Sequence, residues 1–355
     1  MKKILFVVPF PKNIYPSERF RIEVYENILK EKGFEYISTF FWDYYARSIL
    51  YKKGKIGQKI TSLIKGFFRR IKSLAIINQY DYIFILREAA PVGPPFFEWV
   101  YARLFRKKII YDFDDAIWIP QVSDNNSWGK FAKAFWKIKT NCQWAYKISV
   151  GNSYLYNYAI QYNQNVVISP TCVDIVNRHN RIKEQHTEKI VIGWTGSFST
   201  LHYLNDIIPV LQELETKHSF ELIVIADQNP NLPLKGFRFI EWKLVTEIED
   251  LLKINIGIMP LDNNEISKGK SGFKLIQFLA LGIPVAASPI GINTQIVDEG
   301  INGFLCQTQQ EWVDALEKLL CDATLRQQMG IRGRKKIDEN YSVAANKNNF
   351  LSLFE

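Results

Sequence analysis

Residues 257–291, GIMPLDNNEISKGKSGFKLIQFLALGIPVAASPIG, constrain the fold of this chain more than any other stretch. They compress a strand, a lysine- and glycine-rich loop, a helix and a second strand into one short unit. Positions 254–259 form a brief apolar run, and Pro260 ends it because proline cannot donate to a sheet ladder. Apolar residues then stand at 273, 275, 276, 278, 279 and 281, the pattern of a short, largely buried helix. Gly282 occupies the place where a helix C-terminus takes a left-handed residue, Pro284 blocks further helix, and 285–287 reads as the next strand. Strands alternate with helices in both halves, which argues for α/β units with parallel sheets. A length of 355 residues allows about two domains, and 47% apolar residues is ordinary for globular cores.

Between the first of these strands and the helix lies SKGKSG, 267–272. A helix N-terminus offers amide donors and the positive end of a dipole, so it suits an anion. Glycines let the backbone come close, and Lys268, Lys270 and Lys274 add charge. The parts together describe a phosphate cradle; the lysines alone fit a solvated loop equally well. No Gly-x-Gly-x-x-Gly with a downstream acid occurs, which argues against a dinucleotide oxidoreductase.

The run KSGFKLIQFLALGIPVAASPIG resembles the donor-site signature of the family 4 retaining glycosyltransferases, which have the GT-B fold. In that family the segment carries two glutamates separated by seven residues. Here Gln277 holds the second glutamate's place and Gly269 the first. Gln277 can still hydrogen-bond two ribose hydroxyls through its carbonyl and amide, whereas Gly269 cannot replace a carboxylate. Glu265 is the nearest acid able to contact the sugar. IVIGWTG at 190–196 resembles the first strand of the family's C-terminal half. After it, Ser197, Ser199, Thr200 and His202 stand where many relatives bring an arginine and a lysine to the diphosphate. The phosphate load therefore falls on backbone amides, hydroxyls and the lysines near 270. IVDEGINGFLC, a helix around 312–320 and LRQQMGIRGRKKIDENYS match the usual family ending.

The resemblance implies an α/β chain of GT-B type, two Rossmann-like domains with parallel sheets facing across a cleft. The expected division is 1–172 for the acceptor domain, 173–188 for a linker, 189–335 for the donor-binding domain, and 336–355 for a helix crossing back. The implied activity is that of a retaining, hexosyltransferase-type enzyme. It moves a sugar from a UDP- or GDP-linked donor to a hydroxyl of a glycan or glycolipid, in bacterial-type surface polysaccharide or glycolipid assembly. Gly196, Ser197, Lys270, Ser271, Gly272, Phe273, Lys274 and Gln277 form the expected donor set, and Trp242 joins it if it packs on the nucleotide base rather than in the core. That scheme requires no cofactor and no metal. Because both glutamate positions are changed, a non-catalytic GT-B scaffold that binds nucleotide-sugar or a partner transferase is the alternative, and a sugar-nucleotide epimerase is a third reading.

In the N-terminal half the strongest chemical candidate is KKIIYDFDDAIWI, 107–119. A strand at 109–111 leads into Asp112, Asp114 and Asp115, at the sheet edge where ligands of open α/β folds gather. Neighbouring carboxylates raise one another's pKa, so one of them can accept a proton from a sugar hydroxyl or orient the acceptor. Two other readings remain: a helix cap or acidic turn, and the metal-binding Asp-x-Asp of GT-A glycosyltransferases, which would hold Mg²⁺ or Mn²⁺. The second ranks lower because GT-A architecture leaves the phosphate loop unexplained. Ser17, Arg19 and Arg21 follow the first strand, expected at 3–8, and Arg87 and Glu88 follow the strand at 82–86. These five are candidates for acceptor or phosphate contact, although Arg87 and Glu88 can also pair with each other.

Charge is lopsided: residues 1–188 carry a net +13 and 189–355 a net −4, which together make the +9 of the chain. The window 44–80 has nine Lys and Arg and no acid, with Ile56, Ile60, Leu63, Ile64, Phe67, Ile71 and Leu74 at three- and four-residue steps. That pattern predicts an amphipathic helix whose residues 52–74 meet an anionic membrane surface, or one packed on the core with its cations in water. No recognition module accompanies the charge, so nucleic acid is not expected as a partner. Cys142, Cys172, Cys306 and Cys321 lack metal-ligand spacing and suit a reducing cytosol. The apolar segment after Lys2 and Lys3 is too short for a signal peptide. The expected location is the cytoplasm, with peripheral attachment to the inner face of the cell membrane.

Overall fold

The computed structural model describes residues 2–50, 52, 54–120 and 133–355. The chain divides into two compact units, Met1–Thr171 with Asn346–Glu355, and Cys172–Ala345. Each contains a six-stranded parallel sheet. In the first unit the strands are β1 (Lys3–Val8), β2 (Glu35–Phe40), β3 (Tyr82–Leu86), β4 (Lys108–Phe113), β5 (Lys147–Val150) and β6 (Val166–Ile168), in the order β2-β1-β3-β4-β5-β6. In the second they are β7 (Ile190–Thr195), β8 (Phe220–Ala226), β9 (Phe237–Glu241), β10 (Ile256–Met259), β11 (Val285–Ala287) and β12 (Gly303–Leu305), in the order β12-β11-β10-β7-β8-β9. Parallel sheets are covered on both faces, so their strands read as near-continuous apolar runs. YIFIL of β3 is buried at every position, as is IGIM of β10.

The two orders differ in one respect that matters for function. The first sheet reverses direction between β1 and β3, the second between β7 and β10. Ligands of open α/β sheets collect beyond the carboxyl ends of the strands at such a reversal. The loops after β1 and β3, and those after β7 and β10, are therefore where side chains with chemistry should be sought.

Two expected boundaries move. Residues 173–188, expected as a linker, are built into the second unit: Lys183 N–H donates to Leu281 O at 2.7 Å, Gln185 is fully buried, and Arg326 holds its carbonyl at 3.0 Å. The return to the first unit begins at Asn346 rather than 336, because helix Ala323–Asn340 is anchored within the second unit through Lys336 to Asp298 at 2.7 Å. In the first unit Phe350 stacks on Tyr25 with ring centres 4.1 Å apart, and Tyr82 donates its hydroxyl to Phe354 O at 2.7 Å.

The basic window 44–80 forms two helices, Tyr44–Leu50 and Ile56–Leu74, and the second turns an unexpected face inward. Its buried residues are Ser62, Gly66, Arg70 and Ser73. Gly66 makes this approach possible, since an added Cβ would lie 2.4 Å from the Phe41 ring. Arg70, expected on a cationic flank, is fully buried and donates to Val8 O at 2.6 Å, Ala89 O at 2.6 Å and Thr39 O at 2.8 Å. It satisfies carbonyls at strand ends that would otherwise be orphaned, and burial pushes its guanidinium down to about 10. Leu63, Phe67 and Leu74 pack partly against the core, while Ile56, Ile60, Ile64, Phe68 and Ile71 are exposed. Lys53 of the expected cationic flank lies outside the described residues.

Candidate active site

In the second unit the two loops at the sheet reversal are shaped by close backbone approach. After β10, Asn264 caps the helical turn Glu265–Lys268, its side chain accepting from Ser267 N at 2.9 Å. The coil expected at 267–272 is thus shortened to 269–272, and Ser267 is buried with its hydroxyl 3.1 Å from that of Tyr203. Gly272 has φ +64°, and a Cβ there would lie 2.3 Å from Ile296. Gly291, φ +56°, brings the loop after β11 so near that a Cβ would meet Lys268 O at 2.6 Å. These contacts fix the coil in front of helix Phe273–Ala280, whose N-terminus carries the positive end of the helix dipole.

Lys274 lies in the first turn of that helix with its Nζ 4.8 Å from the centre of the buried Trp194 ring on β7. Gln277, three residues on and so on the same helix face, is 4% exposed, and its Nε2 is buried without a hydrogen-bond partner. A buried amide donor left unpaired costs about 1–3 kcal/mol, so this atom is placed as though for a ligand. After β7, Gly196 has no room for a Cβ, which would fall 2.4 Å from Trp194 and 2.9 Å from Thr200 Oγ1. The loop it opens is held by Phe198 N–H to Asp227 at 2.6 Å and by Ser197 Oγ against Ser199 Oγ at 2.9 Å. Lys270 and Ser271 are half-buried in the coil.

The remaining expected residues of this unit lie less centrally. Glu265 is exposed and paired with Lys268 at 2.6 Å. Trp242 follows β9, separated from β7 by β8, and donates its indole N–H to Glu247 at 3.0 Å. Sequence reasoning missed Asp206 and Asp262, carboxylates of the segments after β7 and β10 that act on each other. Burial first, and then Asp262, hold the Asp206 carboxyl above its ordinary range. Nothing in their 56-residue separation could have paired them; only the fold does.

In the first unit, helix Pro16–Arg21 folds back over the sheet edge, and Ser17, Glu18, Arg19 and Arg21 are all buried. Arg21 grips both oxygens of Asp112, Nε at 2.6 Å and Nη2 at 2.5 Å, and also donates to Ser169 O at 2.8 Å and Ser149 Oγ at 3.1 Å. Burial acts to lower this guanidinium, but the carboxylate outweighs it and the net shift is upward. Arg21 and Asp112 are thus tied to each other and to the strand ends around them. Arg19 is buried with its guanidinium 4.5 Å from the centre of the Phe20 ring.

Asp114 and Asp115 are differently placed. Asp114 accepts from Ser17 Oγ at 2.6 Å through Oδ2, while its buried Oδ1 makes no hydrogen bond and has Arg87 Nη1 at 3.6 Å. Burial, reinforced by Asp115, raises the Asp114 carboxyl above its ordinary range. Arg87 donates to Asp115 at 3.1 Å, and Glu88 pairs with the buried Lys137 at 2.7 Å, so Arg87 and Glu88 do not pair with each other. Arg87 also holds a left-handed backbone, φ +64°, which costs a non-glycine residue about 1–2 kcal/mol. Its N–H to Asp112 O at 2.8 Å and its carbonyl, which accepts from Tyr111 at 2.8 Å, hold it there. Strain of this kind gathers at functional sites. A cavity of about 110 Å³ opens beside it, lined by Glu88, Ile117, Lys133, Lys137 and Ile138. A larger one, about 530 Å³, lies at the opposite edge of the sheet by Lys2, Lys32 and Phe354, away from this chemistry.

Glu18 is the third residue the sequence did not reveal. It is 2% exposed; Oε1 accepts from Phe10 N at 2.9 Å, and Oε2 is buried without a hydrogen-bond partner. Burial pushes its carboxyl up to about 8, Arg87 opposes the rise, and Asp114 adds to it. No cluster of three or more His, Cys, Asp or Glu able to hold a metal occurs among the described residues.

Residues 189–322 match the family described as Glycosyl transferases group 1. With two doubly wound parallel sheets, the chain has the GT-B fold, and its second unit is similar to the group 1 glycosyltransferases. Among solved structures it is similar to a sucrose-phosphate synthase from Thermosynechococcus elongatus, with 12% identity, TM-score 0.73 and coverage of 100% of this chain and 98% of that one. It is similar also to Anabaena Alr3699/HepE, solved with UDP and glucose, with 15% identity, TM-score 0.71 and full coverage of both chains. Spore coat protein SA of Bacillus subtilis (strain 168) is 25% identical over 80 residues, 22% of this chain and 21% of that protein. The match therefore spans about a fifth of that relative's length.

Proposed function

We propose that this chain transfers a hexose from a nucleotide-sugar donor, UDP-linked for preference, to a hydroxyl of a glycan or glycolipid acceptor, with retention at the anomeric carbon. The observation that carries the reading is Gln277: a buried, unpaired amide donor on the same helix face as Lys274, at the reversal of the second sheet. Lys270, Lys274 and the amides of helix Phe273–Ala280 stabilise the negative charge that grows on the departing diphosphate, while Gln277 holds the ribose. Gly196, Ser197, Ser271, Gly272 and Phe273 line the same donor site, and Trp242 takes the base. Asp114 and Asp115, ordered by Ser17 and Arg87, receive the acceptor hydroxyl; Asp112, Arg21, Arg19 and Glu88 position that edge. Positive charge comes from lysines and amides, so no step is routed through a metal.

Thermal unfolding with UDP, GDP, ADP and CMP, followed by incubation with the matching hexose donors, tests this. UDP at about 100 times its Kd should stabilise by about 2.7 kcal/mol, and UDP-hexose with acceptor should yield UDP and a glycoside of unchanged anomeric configuration. Binding without turnover would make the chain a scaffold. Interconversion of donors would make it an epimerase, and indifference to all four nucleotides removes the donor site altogether.

The membrane reading belongs here as well. Ile56, Ile60, Ile64, Phe68 and Ile71 form an exposed apolar stripe, and Lys52, Lys55, Lys65 and Lys72 are exposed beside it. An anionic bilayer surface is the occupant that suits both features, at about 1 kcal/mol per lysine near the surface. Such an anchor would hold the protein at the cytoplasmic face. No described helix is long and apolar enough to cross a membrane. Vesicles rich in phosphatidylglycerol should pellet the protein and phosphatidylcholine vesicles should not, with Ile60→Glu/Ile64→Glu lowering recovery about tenfold. Equal recovery on both lipids rejects the anionic surface.

A further inference from the structure

The second unit carries a Cys–His–Glu arrangement remote in sequence from the donor loops. His218 follows helix Ile208–Lys217; Glu317 and Cys321 lie on helix Gln309–Cys321, one turn apart. His218 Nε2 is 2.7 Å from Glu317 Oε1, and Nδ1 is 3.9 Å from Cys321 Sγ. The carboxylate can only accept, so Nε2 carries the proton and Nδ1 turns its lone pair toward the thiol. Glu317 thus fixes the tautomer that allows His218 to take the Sγ proton, and it stabilises the imidazolium that results. Arg326, held by Leu319 O at 2.6 Å, adds a second positive charge that acts on Cys321. Asp322 also acts on Arg326, and Lys217, paired with Glu213, faces Glu317 and Asp314 from the other helix.

Access separates this thiol from the other three. Cys321 is exposed, whereas Cys142, Cys172 and Cys306 are buried. Burial also pushes the Cys142 and Cys306 thiols up to about 12.

We infer that Cys321 with His218 and Glu317 is a thiol-modification site for small disulfides of the glutathione type. Sγ–H passes its proton to His218 Nδ1, and the thiolate attacks one sulfur of the disulfide. The S–S bond breaks as the new Sγ–S bond forms, and the released thiolate recovers the proton from the imidazolium. Electrons balance, since the disulfide is the oxidant. The inference does not rest on the transferase reading.

The test uses the full chain with oxidised glutathione and, as a second probe, iodoacetamide, with modified peptides located by mass. Native protein should take up one group per chain, at Cys321, and none in Cys321→Ser. Its rate should exceed that of His218→Ala at neutral pH and converge with it in strong base, where thiols ionise unaided. His218→Ala should slow the reaction at pH 7 about tenfold, with Glu317→Gln intermediate. His218→Gln, which keeps the side-chain volume, guards against loss of fold. Modification at a buried cysteine, or a His218→Gln rate at pH 7 equal to that of the native chain, overturns the proposal.

Discussion

Lys274→Ala will lower kcat/KM about 100-fold, and Lys270→Ala will do so to a similar degree, each equivalent to about 3 kcal/mol of lost transition-state stabilisation. The reason is electrostatic. Charge develops on the diphosphate as the glycosidic bond to it breaks, and a fixed cation at that point needs no reorganisation. In the proposed donor site the two lysines, four residues apart, serve one diphosphate, so the double variant should fall short of the product of the two losses. Lys274 has a second task, its contact 4.8 Å from the Trp194 ring, and that contributes about 0.5–2 kcal/mol where partly desolvated. Comparing Lys274→Met with Lys274→Ala at equal thermal stability isolates the charge from the packing. Transfer rates within about threefold of the native enzyme in both Lys270→Ala and Lys274→Ala would remove the phosphate role.

Glu18→Gln will abolish most of a stability loss that the native protein suffers between about pH 4.5 and 8. The folded carboxyl, pushed up to about 8, keeps its proton where the unfolded chain, at about 4.5, has released it. In that window the native state binds more protons, so stability falls as pH rises; below 4.5 the contribution is fully present, and above 8 it is gone. A shift of this size corresponds to about 5 kcal/mol. Glutamine mimics the neutral acid: its Oε1 can still accept from Phe10 N, and its amide can donate toward Asp114, which faces Glu18 together with Arg87. Urea unfolding at pH 5 and pH 8.5 should show the variant close to native at the first and clearly more stable at the second. Parallel pH dependences of the two proteins would show that Glu18 ionises normally.

Residues of the glycine- and lysine-rich loop were legible for a local reason. Pro260, Gly272, Gly282 and Pro284 punctuate a short segment, and each acts through its own backbone: Gly272 and Gly282 do adopt φ +64° and +69°. The buried strands were legible because sheets covered on both faces leave runs such as FELIVIA and YIFIL. Helix Ile56–Leu74 shows where periodicity stops informing. Its spacing gives a helix with an apolar stripe, but nothing in the spacing says which side faces the sheet. Gly66 and Arg70 decide that, one by close approach to Phe41 and the other by binding three strand-end carbonyls.

The first unit's site divides in the same way. That Asp112, Asp114 and Asp115 crowd a strand end follows from adjacency in the chain. Their unlike fates do not. Asp112 is held by Arg21, 91 residues away, and Asp114 leaves Oδ1 without a hydrogen bond because Ser17, 97 residues away, takes only Oδ2.

What the sequence by itself determined was the class of fold, the more apolar strands of both sheets though not β2, β5, β6 or β12, and the glycine- and lysine-rich loop, because each depends on burial period or on the φ range of single residues. Which residues meet was decided only by the tertiary structure: Glu18 with Asp114, Asp206 with Asp262, and His218 with Cys321. Charge coupling acts through space and falls with distance, and distance between remote residues exists only once the sheets have set their strand order.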